Sequence, residues 1–337
     1  MATIRDVAAE AGVSRATVTR VLHEPDKVSP AKLAKVQAAI KKLGYRPNML
    51  SQTFRSSSAR TIVVLAPNLA NPFFAQVIAG IVDASDELGY KILVGSTNNS
   101  SKREADYIKM VETRLADGII QMAPFTEGEV SLLPREHVPA VSVAGVPGTP
   151  YPGVRIDNVA AVKECIQHLV SLGHTHIGAI TGPANNSNTI VRLKGFKEGL
   201  EEAGLSYLPE LVREGDFRLV SGFSATADFM LDSNPVRPTA IFCMNDEMAL
   251  GAMRSLKTFN LRVPEDISII GFDNLDFSAF ASPALTTVEQ PAYDMGRRSA
   301  ALLVDMLEGR VGKADADIVL PYRLVEREST AVVHTRA

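Results

Sequence analysis

The 337-residue chain contains no tryptophan, two cysteines and only 6% aromatic residues. Cys165 and Cys243 lie far apart and match neither a CxxC motif nor a Cys/His ligand spacing. They therefore read as buried free thiols in a reduced, cytoplasmic compartment, with no disulfide framework and no metal. No apolar run reaches the ~18 residues that a membrane span needs, and no charged n-region precedes an apolar h-region, so neither a membrane partner nor a secretory signal is expected. Also missing are a P-loop, a GxGxxG after a strand, a GxSxG elbow and a metal-spaced His pair, so no catalytic residues and no cofactor are expected. His174 and His176 alternate across a helix-to-strand turn and read as structural.

Charge is unevenly distributed. Residues 1–60 carry 11 Lys/Arg against 4 Asp/Glu, a net +7, inside a chain whose formal total is −3, so the remainder carries −10. A small basic head on an acidic body suggests that the head alone meets a polyanion.

Within residues 1–46, Thr3 and Asp6 have the spacing of a capping box, and Ile4, Val7, Ala8 and Ala11 recur at helical spacing up to Gly12. Ser14 is a good N-cap for a second helix. Its face Thr17, Val18, Val21 and Leu22 turns inward, leaving Arg15, Ala16, Thr19 and Arg20 largely outside. Ser29-Pro30 opens a third helix with the stripe Leu33, Val36, Ile40 and Leu43, ending at Gly44. Three helices sharing one small core fit a helix-turn-helix, whose second helix meets base edges in the major groove. Arg15 suits a guanine and Ala16 a thymine methyl. A protein-binding helix-turn-helix module remains the alternative on this pattern alone. Residues 47–60 are short, polar and serine-rich, a marginal helix that would order only on binding.

From residue 61, apolar runs suited to parallel strands alternate with helical patterns: TIVVLAP, then NPFFAQVIAGIVDASDELGY, then KILVGST. A second such series starts near Asp157. The fold class expected is α/β, a three-helix head and hinge joined to a two-lobed doubly wound body. Ligands of such sheets gather beyond the carboxyl ends of the strands. The residues there are Asn71, Phe73 and Phe74, Asn186, Asn188 and Arg192, Phe217, Asn245 and Asp246, and Asp273. Taken singly, Phe73 and Phe74 also suit a core, Arg192 a helix surface and Asp246 a helix cap. Their shared position at strand ends favours a cleft for a small, flat, hydroxyl-rich molecule.

DVAAEAGVSRATVTRVL, followed by VSPAKLAKVQAAIKKLGYRPN, resembles the DNA-binding head of the LacI/GalR family of bacterial transcription regulators. GFDN, DEMALGAM, PALTTVEQP and RLKGF extend the resemblance over nearly the whole chain, with a body similar to periplasmic binding proteins. ILVGS, NPFF, GDF, IIGFDNLD and Ala144 bring it closest to the cytidine-repressor branch. The resemblance implies DNA contacts by Thr3, Ser14, Arg15, Ala16, Thr17, Arg20, Asn48 and Ser51. It places Phe54 where a minor-groove wedge stands, although the usual Ala-Arg pair before the wedge is Ser51-Gln52 here. Phenylalanine can part a base step, and packing of Phe54 between hinges or onto the core is the alternative.

Of the strand-end residues, the resemblance implies Phe73, Phe74, Asn186, Asn188, Arg192, Phe217, Asn245 and Asp273 as effector contacts, for a nucleoside or sugar. The resemblance also implies three strand crossovers near 158, 290 and 320, dividing 61–337 into lobe 1 (about 61–157 and 291–320) and lobe 2 (about 158–290 and 321–337). The expected function is an effector-controlled regulator, a repressor acting as a homodimer on a pseudo-palindromic operator. A solute-binding protein of similar fold is the alternative.

Overall fold

The computed structural model describes residues 2–45, 58–98, 100–122, 138–147, 151–232, 236–311 and 317–333. These fall into two compact units, residues 1–58 and 59–337.

The first unit is built from helices α1 (Ile4–Ala11), α2 (Arg15–His23) and α3 (Pro30–Leu43). The Thr3 hydroxyl accepts from the Asp6 N–H, and Asp6 Oδ2 accepts from the Thr3 N–H at 2.8 Å, so both ends of the capping box are closed. Gly12 ends α1 at φ 63°, a conformation that costs glycine little. Ser14 caps α2 through the N–H of Thr17. Ser29 precedes α3 without a side-chain cap bond, so Pro30 at the first helical position sets that start instead. Val7, Val18 and Val36 are fully buried at the centre, one from each helix.

The second unit opens with β1 (Thr61–Ala66), α4 (Pro72–Glu87), β2 (Lys91–Ser96), α5 (Ser101–Glu112), β3 (Gly118–Met122), β4 (Ala140–Val143) and β5 (Gly153–Arg155). It continues with α6 (Asn158–Ser171), β6 (Ile177–Thr181), α7 (Ser187–Glu202), β7 (Val212–Glu214), α8 (Leu219–Leu231), β8 (Ala240–Cys243), α9 (Asp246–Thr258) and β9 (Ser268–Ile270). It closes with β10 (Thr287–Glu289), α10 (Ala292–Leu307), β11 (Ile318–Val319) and β12 (Arg323–Val325).

One parallel sheet has the order β11-β5-β4-β3-β1-β2 and a second has the order β7-β6-β8-β9. β11 returns to the first sheet beside β5, while β10 pairs antiparallel with β12. Ile62, Val64 and Ile120 face one core and Val63, Leu65 and Ile119 another, as expected of strands covered on both faces.

Each sheet is covered by a helix pair brought close by reciprocal glycines. A Cβ on Gly80 would lie 2.0 Å from the Tyr293 carbonyl oxygen, and one on Gly296 would lie 2.0 Å from that of Val77, so α4 and α10 meet backbone to backbone. On the second sheet, a Cβ on Gly222 of α8 would lie 2.2 Å from the Met248 oxygen, and one on Gly251 of α9 would lie 2.0 Å from that of Leu219.

Candidate functional site

On α2, Arg15, Ala16 and Arg20 are exposed, as is the capping Ser14, while Thr17 is half-buried and hydrogen-bonds Ser14 at 3.0 Å. Thr3 is held in the capping box. Asn48, Ser51 and Phe54 lie outside the described residues.

In the second unit a cavity of about 380 Å³ opens between the carboxyl ends of the strands of the two sheets. Asn71, Phe73 and Phe74 line it after β1, and Asn186, Asn188 and Arg192 line it from the start of α7. Phe217, Asn245 and Asp273 follow β7, β8 and β9. Nine of the ten residues expected there are therefore brought together.

The tenth, Asp246, is not among the lining residues. It is fully buried, and its carboxylate accepts from the Leu275 N–H at 2.8 Å, the Ser278 hydroxyl at 2.6 Å and the Thr287 hydroxyl at 2.5 Å. Gly271 admits it, since a Cβ there would lie 2.3 Å from Asp246 Oδ1. Asp246 thus ties the start of α9 to the 275–287 loop instead of facing a ligand. Burial pushes its carboxyl up to about 6, against the pull of those donors.

The buried end of the cavity is polar. Arg192 donates from Nε to Asn158 Oδ1 at 2.9 Å and from a terminal nitrogen to the Met244 carbonyl, and its guanidinium lies 3.8 Å from the centre of the Phe272 ring. That fixes a planar cation with its remaining nitrogen 4.0 Å from Asp273 Oδ1. Asp273 accepts from Gln290 Nε2 at 2.7 Å. Burial outweighs the nearby Arg192 and raises its carboxyl to about 8.

Phe73 and Phe74 meet edge to face at 5.6 Å, and both also pack on the core, so the core and cleft readings of these rings hold together. Asn71, Asn186 and Asn245 begin α4, α7 and α9, each accepting a backbone N–H of the helix it caps. Asn188 Nδ2 donates across the cleft to the Ala144 carbonyl at 3.0 Å. Ala144, Phe217 and Asp273 hold φ of 53°, 66° and 119°, so left-handed backbone outside glycine concentrates around this cavity, as it does at functional sites.

Asn68, Asn98, Asn185, Asp216 and Arg218 also line the cavity and were not singled out from the sequence. Asn68 and Asn98 follow β1 and β2, where the strand-end rule already pointed, and Asp216 and Arg218 flank Phe217. Asn158 and Gln290, which hold Arg192 and Asp273, carried no such signal. His174 is buried and bonded to Thr239 and Ser268, a structural role, and both cysteines are fully buried, with burial raising their thiols.

The profile of the bacterial regulatory proteins, lacI family, matches residues 3–48, and that of the periplasmic binding protein-like domain matches residues 166–330. The HTH-type transcriptional repressor CytR of Escherichia coli (strain K12) is 37% identical over 332 residues, covering 98% of this chain and 96% of the repressor. The HTH-type transcriptional repressor PurR of Aliivibrio fischeri (strain MJ11) is 35% identical over 335 residues, covering 97% of this chain and 99% of that one. The crystal structure of the lac repressor dimer bound to operator and the anti-inducer ONPF superposes with a TM-score of 0.84 at 30% identity, covering 98% of this chain and 99% of that one.

Proposed function

This chain belongs to the lacI family of bacterial regulatory proteins, and on that premise we propose that the cavity between its two sheets is the site through which a small molecule controls the DNA-binding head. The protein is a DNA-binding transcriptional regulator, a repressor modulated by an effector, with operator DNA and a second copy of itself as partners.

The observation that carries the site assignment is Arg192, buried and held by Asn158, Met244 and Phe272 with one nitrogen turned towards Asp273. A cation held this firmly, beside an acid with a raised pKa, suits recognition of ligand hydroxyls. Asn71, Phe73, Phe74, Asn186, Asn188, Phe217 and Asn245 complete the effector set; Asp246 is excluded. The relatives are regulators and not enzymes, and the cavity groups bind instead of reacting. The protein works in the cytoplasm, where its DNA is; among the described residues no helix is long and apolar enough to cross a membrane.

The lobe division at about 157, 290 and 320 is supported by the return of β11 to β5 and by the pairing of β12 with β10. Thr3, Ser14, Arg15, Ala16, Thr17 and Arg20 are the head contacts to DNA, with Asn48 and Ser51 as further contacts and Phe54 as the wedge that bends DNA.

Ligand binding shifts operator affinity only as far as it distinguishes two lobe arrangements, a coupling of about 1–3 kcal/mol in typical cases. Selection from a random duplex pool is expected to return a pseudo-palindrome bound by the dimer, with affinity changed by saturating effector. Recovery of no common sequence would refute the DNA half of this reading. An operator affinity unmoved by a ligand that fills the cavity would refute the control half.

A further inference from the structure

The last two residues of the serine-rich segment 47–60 belong to the second unit, and the body holds both of them. Asp117, immediately before β3, takes the Ala59 N–H on Oδ1 at 2.7 Å and gives its own N–H to the Thr61 carbonyl at 2.8 Å. The Thr61 hydroxyl donates to the Ala59 carbonyl at 3.1 Å, and the Arg60 carbonyl accepts the Lys91 N–H at 2.8 Å where β2 begins. The backbone of both residues is thus fixed from the strands on either side of β1.

The Arg60 side chain adds a third anchor. Its guanidinium lies 5.0 Å from the centre of the buried Tyr90 ring, and one of its nitrogens lies 3.7 Å from a Glu308 carboxylate oxygen. Glu308 is the C-cap of α10 and is also paired with Arg310. Arg60 makes these contacts at φ 48°, left-handed backbone that glycine would adopt at lower cost. Such strain persists only where the surroundings over-determine it. Stability does not account for it, because the Arg60 side chain is 56% exposed and exposed ion pairs stabilise little. An arginine that bends the chain against its preference, and adds little stability by doing so, sets a direction.

We infer that Ala59 and Arg60 form a rigid coupling, in which Asp117, Tyr90 and Glu308 fix the direction in which the chain leaves the body, and that Arg60 is a positioning residue for operator binding. The covalent route between body and head runs through these two residues. In a dimer, the spacing and freedom of the two tethers decide how readily both heads meet their half-sites together. Fixing the root of each tether therefore raises the effective concentration of the second head without any contact to DNA. Because Glu308 ends α10, a helix set against α4 by Gly80 and Gly296, the coupling follows the orientation of that helix pair. It is independent of what the cavity binds.

The test uses the full chain with a nitroxide on Ser58→Cys; Cys165 and Cys243 are fully buried and stay unlabelled. Pulsed dipolar spectroscopy between the two copies of the dimer is expected to give a narrow distance distribution, which broadens when Arg60→Gly is added. On the duplex that the wild type selects from a random pool, Arg60→Gly is expected to bind at least about tenfold more weakly, a loss within the range of avidity effects. Its salt dependence and melting should stay unchanged, since relief of the left-handed backbone offsets the lost exposed pair. Glu308→Gln separates positioning from charge: removing an acid tightens DNA binding by general electrostatics, whereas loosening Arg60 weakens it. An unaltered distance distribution in Arg60→Gly, or operator affinity unaltered in both variants, overturns the inference. So does tighter binding by Glu308→Gln with a reduced salt slope in Arg60→Gly, which would make Arg60 a phosphate contact.

Discussion

Gln290, in the segment joining β10 to α10, donates to Oδ1 of Asp273 across 2.7 Å and so connects a cavity acid with a strand-to-helix passage between the two sheets. A ligand touching Asp273 would therefore lie one hydrogen bond from the segment between β10 and α10. Replacing Gln290 with Glu would set two acids against each other. The expected result is retained effector binding at low pH, with loss of the effector-dependent change in operator affinity as pH rises, read by anisotropy of labelled operator.

Asp273 also makes stability depend on pH. An unfolded Asp titrates at about 3.9. The folded carboxyl is held up to about 8 by burial, so between these values the folded state binds more protons than the unfolded one. Stability then falls as pH rises through that window. Melting of the unliganded protein is expected to drop between pH 5 and 8 and to flatten in Asp273→Asn. A melting temperature that rises over this range in wild type would contradict the assignment.

Ligand hydroxyls that donate to Asp273 favour its ionised form, so effector affinity should increase as pH approaches 8 and binding should release protons. Titrations in buffers of different ionisation enthalpy would measure that release directly. Proton uptake would mean that the ligand meets a neutral acid.

Asp246→Asn separates a structural from a binding role. The three donors on this carboxylate would face an amide with only one oxygen, at a cost of about 1–3 kcal/mol for a polar group left unpaired. Stability should fall while effector affinity in the folded protein stays within about twofold, a change worth only some 0.4 kcal/mol. A selective loss of affinity would restore Asp246 to the cavity set.

Arg15→Ala is expected to relax base preference at one position in each operator half-site by about 1–3 kcal/mol. Uniform weakening on all sequences would make Arg15 a phosphate contact.

Much of this architecture was legible in the sequence for identifiable reasons. TIVVLA and AIFC are apolar runs that only covered strands tolerate, and residues placed after strands converge because parallel sheets collect ligands at one end. Asp246 misled because it also follows a strand. Its burial is decided by Gly271 and the 275–287 loop, which are distant in sequence and visible only in three dimensions. Asn158 and Gln290 were illegible for the same reason: each acts through a partner more than a dozen residues away. The short β7, β11 and β12 have too few residues to show a period.

The reciprocal glycines give each half of the body a stiff arm. Where Gly80 and Gly296 on one side, and Gly222 and Gly251 on the other, bring helix backbones into direct contact, no side chain is left between them to slide or repack. Bending is thereby confined to the few connecting strands, as in a pair of tongs whose blades do not flex. A methyl group added at Gly296 would soften one of them before it touched any ligand.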